Sequence, residues 1–191
     1  ELEPPPDFFE GLGALPTLGI TAFGQAVPAA CVLWIAFRRP GGLAAVGLTQ
    51  RTPGARGTYA LARYVVALPM LMGLLALTGF IWTTTGMDPP PQDTALLVRD
   101  GLAADPLAIG LFVAVVIPLL EEILFRGFLL ELLVGTIGKL GGVVVSSVLF
   151  ALLHGAEAFL PIFGLALVLS IVKLRTRSLG AVWLIHAVHN G

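Results

Sequence analysis

Residues 107–134 read LAIGLFVAVVIPLLEEILFRGFLLELLV. The run exceeds the roughly 20 residues a helix needs to cross the hydrocarbon of a bilayer, yet its middle holds Glu121, Glu122 and Arg126. A charged group at the centre of a membrane helix costs roughly 2.5–3.5 kcal/mol on insertion scales. Three unpaired ones would cost on the order of 8–10 kcal/mol, comparable with the stability of a whole domain. They must face protein or a wet cavity, and they must be paired.

Similar apolar runs flank this one. Residues 18–37 and 59–82 precede it, the latter with Arg63 at its edge. Residues 140–161, carrying His154, then 162–174 and 179 onward follow it. Pro161 marks a loop or a kink between two of these. The composition agrees: 57% of residues are hydrophobic, 12% are charged and the mean hydropathy is +0.93. Globular chains carry about twice that share of charge. This excludes a soluble cytoplasmic enzyme and a disordered chain. A net charge of -1 leaves no basic field for nucleic acid. Cys31 is the single cysteine, so an intrachain disulfide and a Cys-based zinc cluster are excluded.

The expectation is an all-α, polytopic transmembrane helical bundle with about six spans. We divide it into residues 1–104, an acidic tail with two spans and their loops, and 105–191, a catalytic membrane core. The chain has no initiator Met and stops at Gly191 inside an apolar run. We therefore expect a longer protein with a further helix closing the core. Loop charges orient the spans. Glu1, Glu3, Asp7 and Glu10 precede the first; Arg38, Arg39, Arg51, Arg56 and Arg63 follow it; Asp88, Asp93, Asp100 and Asp105 come next. Lys139 follows the third run, and Lys173, Arg175 and Arg177 precede the last. The alternation predicts an outside N-terminus in a multi-pass plasma-membrane protein. Pro4-Pro5-Pro6 and Pro89-Pro90-Pro91 would be outer turns.

At about 100° per residue, Glu122 and Arg126 lie within about 40° of each other and form a natural ion pair. Glu121 sits about 140° from Arg126 and needs a partner from another helix. A carboxylate with no local cation can take a proton from water, which suits a general base. The chain offers three histidines as partners. His154 lies one turn after Phe150. His186 shares a face with Asn190, and His189 is adjacent but less aligned, a supporting residue. Intramembrane ionisable groups mark functional sites by default.

Two chemistries fit this set. Glu121 and His154 could activate a water for attack on a peptide carbonyl, with His186 and Asn190 donating to the oxyanion. Alternatively Glu121, His154 and His186 could hold a divalent metal such as zinc, although no His-Glu-x-x-His element is present. A transporter using these groups as a proton relay is a rival from another class.

Three motifs now stand in order: Glu121-Glu122-x-x-x-Arg126, Phe150-x-x-x-His154 and His186-x-x-x-Asn190. Together, over roughly residues 105–191, they resemble the CPBP intramembrane proteases. That family includes CAAX prenyl endopeptidases and bacteriocin-processing or Abi proteins. The resemblance implies an all-helical membrane fold of about eight helices in the full protein. It implies endopeptidase activity on membrane-associated CAAX-type or leader peptides, with Glu121 and His154 activating water and His186 and Asn190 stabilising the oxyanion. Glu122, Arg126 and Phe150 would support them. The family is commonly labelled metalloprotease; we expect a metal-free glutamate mechanism, because the motifs supply oxyanion donors as well as a base. A non-catalytic bacteriocin-immunity or membrane interaction protein is the remaining alternative. An Ala/Gly/Leu/Arg-rich, Lys-poor composition fits a bacterial source.

Overall fold

The apolar runs become helices because a bilayer leaves no water to satisfy backbone polar groups, and a helix satisfies them internally. The computed structural model describes residues 14–48, 53–87, 89 and 93–191. The acidic head, the Pro4-Pro5-Pro6 turn, Arg51, Asp88 and most of the second proline run lie outside these residues. Among the described residues the regular structure is all helical, without strands.

α1 (Ala14–Arg38) ends with the Arg38 guanidinium 4.3 Å over the Trp34 ring. After a short turn (Gly42–Ala44) comes α2 (Pro53–Thr85), then α3 (Asp93–Ala104). Asp105 caps α4 (Pro106–Leu111): its carboxylate accepts from the Ala108 N–H at 3.0 Å, and Pro106 takes the first helical position, where a missing N–H costs nothing. The decisive run then winds through a π-helical stretch (Phe112–Val116), α5 (Ile117–Glu122), a second π stretch (Ile123–Leu129) and α6 (Leu130–Leu152). α7 (Phe159–Thr176) and α8 (Leu179–Asn190) complete the order.

Among the described residues, four helical segments are long and apolar enough to cross a membrane: Ala14–Arg38, Gly54–Thr85, Pro106–Leu152 and Phe159–Thr176. The third is 47 residues and doubles back at Gly138, whose φ of 79° and ψ of 172° leave the helical region. A Cβ on Gly142 would stand 2.7 Å from the Val134 nitrogen. Eight residues of straight helix would hold the two about 12 Å apart. The break expected between residues 134 and 140 is therefore a hairpin corner.

The expected boundaries shift further along. The fourth run ends at Leu152 rather than at residue 161, and Pro161 lies in the first turn of α7, where proline is tolerated. His154 accordingly sits just beyond the end of α6, not inside a span. α8 has 12 residues, about 18 Å, and does not by itself cross a 30 Å core.

Among the described residues two apolar clusters hold the bundle. Ala60, Tyr64 and Leu71 of α2 pack on Leu165, Leu169 and Val172 of α7 and Ala181, Val182 and Ile185 of α8. Ala29 of α1 packs with Ile123 and Leu179. Outward-facing apolar side chains are abundant; Phe23, Phe37, Val66 and Leu140 are each more than 70% exposed. In water such a surface would aggregate. In lipid it is solvated, and the chain is a multi-pass membrane protein.

A backbone tie closes the inner arrangement. The Leu179 N–H donates to the Gly47 carbonyl at 2.9 Å. Gly47 has φ +87°, and a Cβ there would meet the Arg177 carbonyl at 2.8 Å, so only glycine lets the α1–α2 connection approach the α7–α8 corner. Ser178 caps α8 by accepting from the Ala181 N–H at 3.2 Å.

Candidate active site

Glu121 and Glu122 close α5, and Arg126 lies in the π stretch that follows. A helix bonded i→i−5 has a wider turn than an α-helix, so residues four apart come nearer to eclipse. Arg126 Nη1 donates to Glu122 Oε1 at 3.0 Å, with both side chains fully buried. The other arm of Arg126 reaches towards the Ala166 carbonyl of α7 at 3.5 Å. Its guanidinium lies 4.3 Å over the Phe150 ring. Planarity, weak hydration and a delocalised charge make arginine the cation best suited to such a place.

His186 of α8 enters between the two carboxylates. Its Nδ1 is 2.8 Å from Glu122 Oε1, and its Nε2 is 3.6 Å from Glu121 Oε2. The side chain is 3% exposed, that of Glu121 13% and that of Glu122 none. One carboxylate oxygen thus joins the imidazole and the guanidinium, while the second carboxylate faces the imidazole's far side.

Phe150 is the apolar hub. It meets Phe125 edge-on at 4.9 Å, His186 at 5.9 Å and the tilted ring of His154 at 4.5 Å. The His154 Nδ1 is 2.8 Å from the Phe150 carbonyl, the last turn of α6. A bond of that kind fixes the tautomer, with the proton on Nδ1 and Nε2 left as an acceptor. Glu121 lies within electrostatic range of His154, His186, Glu122 and Arg126.

The other two expected site residues stand apart. The Asn190 Nδ2 donates to the Val113 carbonyl at 3.2 Å, in the first π stretch, and the side chain is exposed. His189 bonds through Nδ1 to the Tyr64 hydroxyl of α2 at 2.9 Å, with the two rings edge to face at 5.9 Å.

Three residues escaped the sequence reading. Tyr64 was hidden as one aromatic within a membrane run. Trp183 donates from Nε1 to the Val115 carbonyl at 3.0 Å and ties α8 to the same π stretch as Asn190. Glu131, beyond Arg126 in the decisive run, accepts from Lys173 Nζ at 2.7 Å. Lys173 is 1% exposed, so it is a buried pairing residue rather than a loop charge. An acid and a base on separate runs were visible, but their spacing of 42 residues carries no helical signal.

A metal would draw on Glu121, His154 and His186. Among the described residues no three His, Cys, Asp or Glu side chains come together in a geometry that could hold an ion. His186 Nδ1 is engaged by Glu122 and His154 Nδ1 by a backbone carbonyl. Those bonds leave Nε2 of each ring as the nitrogen a metal would take, beside the Glu121 carboxylate.

Residues 103–191, which hold every group just described except Tyr64, match the family model described as Rce1-like, type II CAAX prenyl endopeptidase. No curated protein and no solved structure matches the chain.

Proposed function

We propose that the chain is a member of the CPBP/CAAX protease family, on the match of its residues 103–191, and that it is an intramembrane endopeptidase working by glutamate-activated water. One observation carries the reading. A nearly buried imidazole, His186, is held between two carboxylates, of which only Glu122 has a cation of its own. Glu121 is the remaining base.

In this reading Glu121, assisted by His154, takes a proton from a water molecule as the water attacks the peptide carbonyl. Negative charge builds on the carbonyl oxygen. His186 donates to that oxyanion through Nε2, which requires a proton on both ring nitrogens because Nδ1–H stays on Glu122, and Asn190 donates from its amide nitrogen; a preorganised donor sheltered from water is worth about 3–4 kcal/mol. The proton held by Glu121 then passes to the leaving amine as the C–N bond breaks, and a carboxylate and an amine remain. Glu122 and Arg126 orient His186 and touch no reacting atom. Phe150 sets the angle of both histidine rings.

The substrates in this reading are membrane-associated peptides of CAAX or leader type, and the catalytic unit is residues 105–191 braced by 1–104. The Arg-rich segments face the cytoplasm of a bacterial plasma membrane, with the N-terminus outside. The test is Glu121→Gln in purified protein, reconstituted with CAAX-type and leader-type peptides. Loss of cleavage with unchanged folding supports the base. Retained cleavage removes Glu121 from the mechanism. Flux driven by a pH gradient without any cleavage would favour a transporter.

A further inference from the structure

The first π stretch solves a problem that Asn190 poses. An asparagine amide has ends of nearly equal shape, one accepting and one donating. To serve as an oxyanion donor it must be held with its nitrogen forward. The Ile117 N–H bonds to the Phe112 carbonyl, five residues back, rather than to Val113, four back. In that register the next donor in line for the Val113 carbonyl is residue 118, and residue 118 is proline, which has no N–H. Both helical donors for Val113 are therefore removed, one by the π register and one by the imino acid. An unpaired carbonyl away from water is costly and seeks a donor. Asn190 Nδ2 supplies it at 3.2 Å. A carbonyl can only accept, so it admits the NH2 end of the amide and rejects the oxygen.

We propose that Pro118 and the Val113 carbonyl are positioning elements for Asn190: the π register and the proline free one backbone acceptor, which fixes the Asn190 amide nitrogen and leaves its second N–H for the oxyanion. The inference rests on the reading of Asn190 as an oxyanion donor. Trp183 holds the same surfaces together by donating to Val115, two residues along, so α8 is clamped to the π stretch at two points. Any residue other than proline at 118 returns an N–H to Val113, and the helix then competes with Asn190 for its own carbonyl.

The test compares Pro118→Ala, Asn190→Ala and the double variant in the full chain. Asn190 is the only asparagine, so 15N-asparagine labelling yields a single side-chain NH2 pair. In the unmodified protein one of its two protons should be shielded from exchange with water and the other not. In Pro118→Ala the two should become alike. Cleavage by Pro118→Ala should fall about tenfold in kcat, with KM within about twofold. Asn190→Ala should lose more, and adding Pro118→Ala to it should cost nothing further. An unchanged NH2 pair in Pro118→Ala overturns the inference, as do losses that multiply in the double variant. Two freely exchanging amide protons in the unmodified protein overturn it even if Pro118→Ala does not fold. Full activity in Asn190→Ala overturns the oxyanion-donor reading itself, and this inference with it.

Discussion

Glu122 Oε1 accepts from Arg126 at 3.0 Å and from His186 at 2.8 Å, so a single buried oxygen fixes two other side chains. Removing one partner of a buried pair leaves the other charged and unpaired, which typically costs 3–5 kcal/mol. Glu122→Gln should therefore lower unfolding stability in detergent by about that amount and lower the folded yield. A variant as stable as the parent would show that the pair holds nothing. Glu121→Gln should behave differently, because Glu121 has no guanidinium to strand. The contrast between adjacent carboxylates was legible in the sequence, since spacings of four and five residues place them about 100° apart on the helix. The direct contact of His186 with Glu122, 64 residues away, was not, because helical periodicity is silent about other helices. The engagement of Asn190 with Val113 was hidden for the same reason.

Helix boundaries are where local chemistry overrides the apolar pattern. Residues 107–134 and 140–161 read as two runs, and the chain turns between them at Gly138, which carries φ 79° and ψ 172°. Only glycine adopts that region cheaply; other residues pay of order 1–3 kcal/mol. No atom lies within 4 Å of a Cβ built there, so the cost of Gly138→Ala should be conformational alone. We expect a loss of about 1–3 kcal/mol in chemical denaturation, and an unchanged midpoint would contradict the corner. At the other end of α6, hydropathy carried the fourth run through to Pro161. The chain leaves the helix near His154, where Gly155 takes φ +92° and the His154 ring turns back on Phe150. Neither π stretch announces itself in the composition. Within the decisive run Pro118 is the residue whose missing N–H signals an interrupted ladder, and its meaning needs the register that precedes it.

For the whole molecule, a low charge content already separates membrane from soluble, and the all-α bundle follows from it. The packing of α7 and α8 against α2 does not, because lipid-facing and protein-facing sides of these helices are both largely apolar and hydropathy gives no direction. Loop charge carries the proposed orientation: Arg38, Arg39 and Arg56 lie between α1 and the body of α2, and acids lie around α3. Reporter fusions should place the α1–α2 connection in the cytoplasm and the α2–α3 connection outside; the reverse pattern would turn the molecule over. The central claim is that Glu121 is the base of a peptide hydrolase, and it is tested most directly in the membrane where the protein works. Membrane peptides should be compared between cells carrying the parent chain and cells carrying Glu121→Gln at equal protein level. Uncut precursors accumulating, and their C-terminal products vanishing, in the Glu121→Gln cells is the predicted result; identical peptide profiles would contradict it.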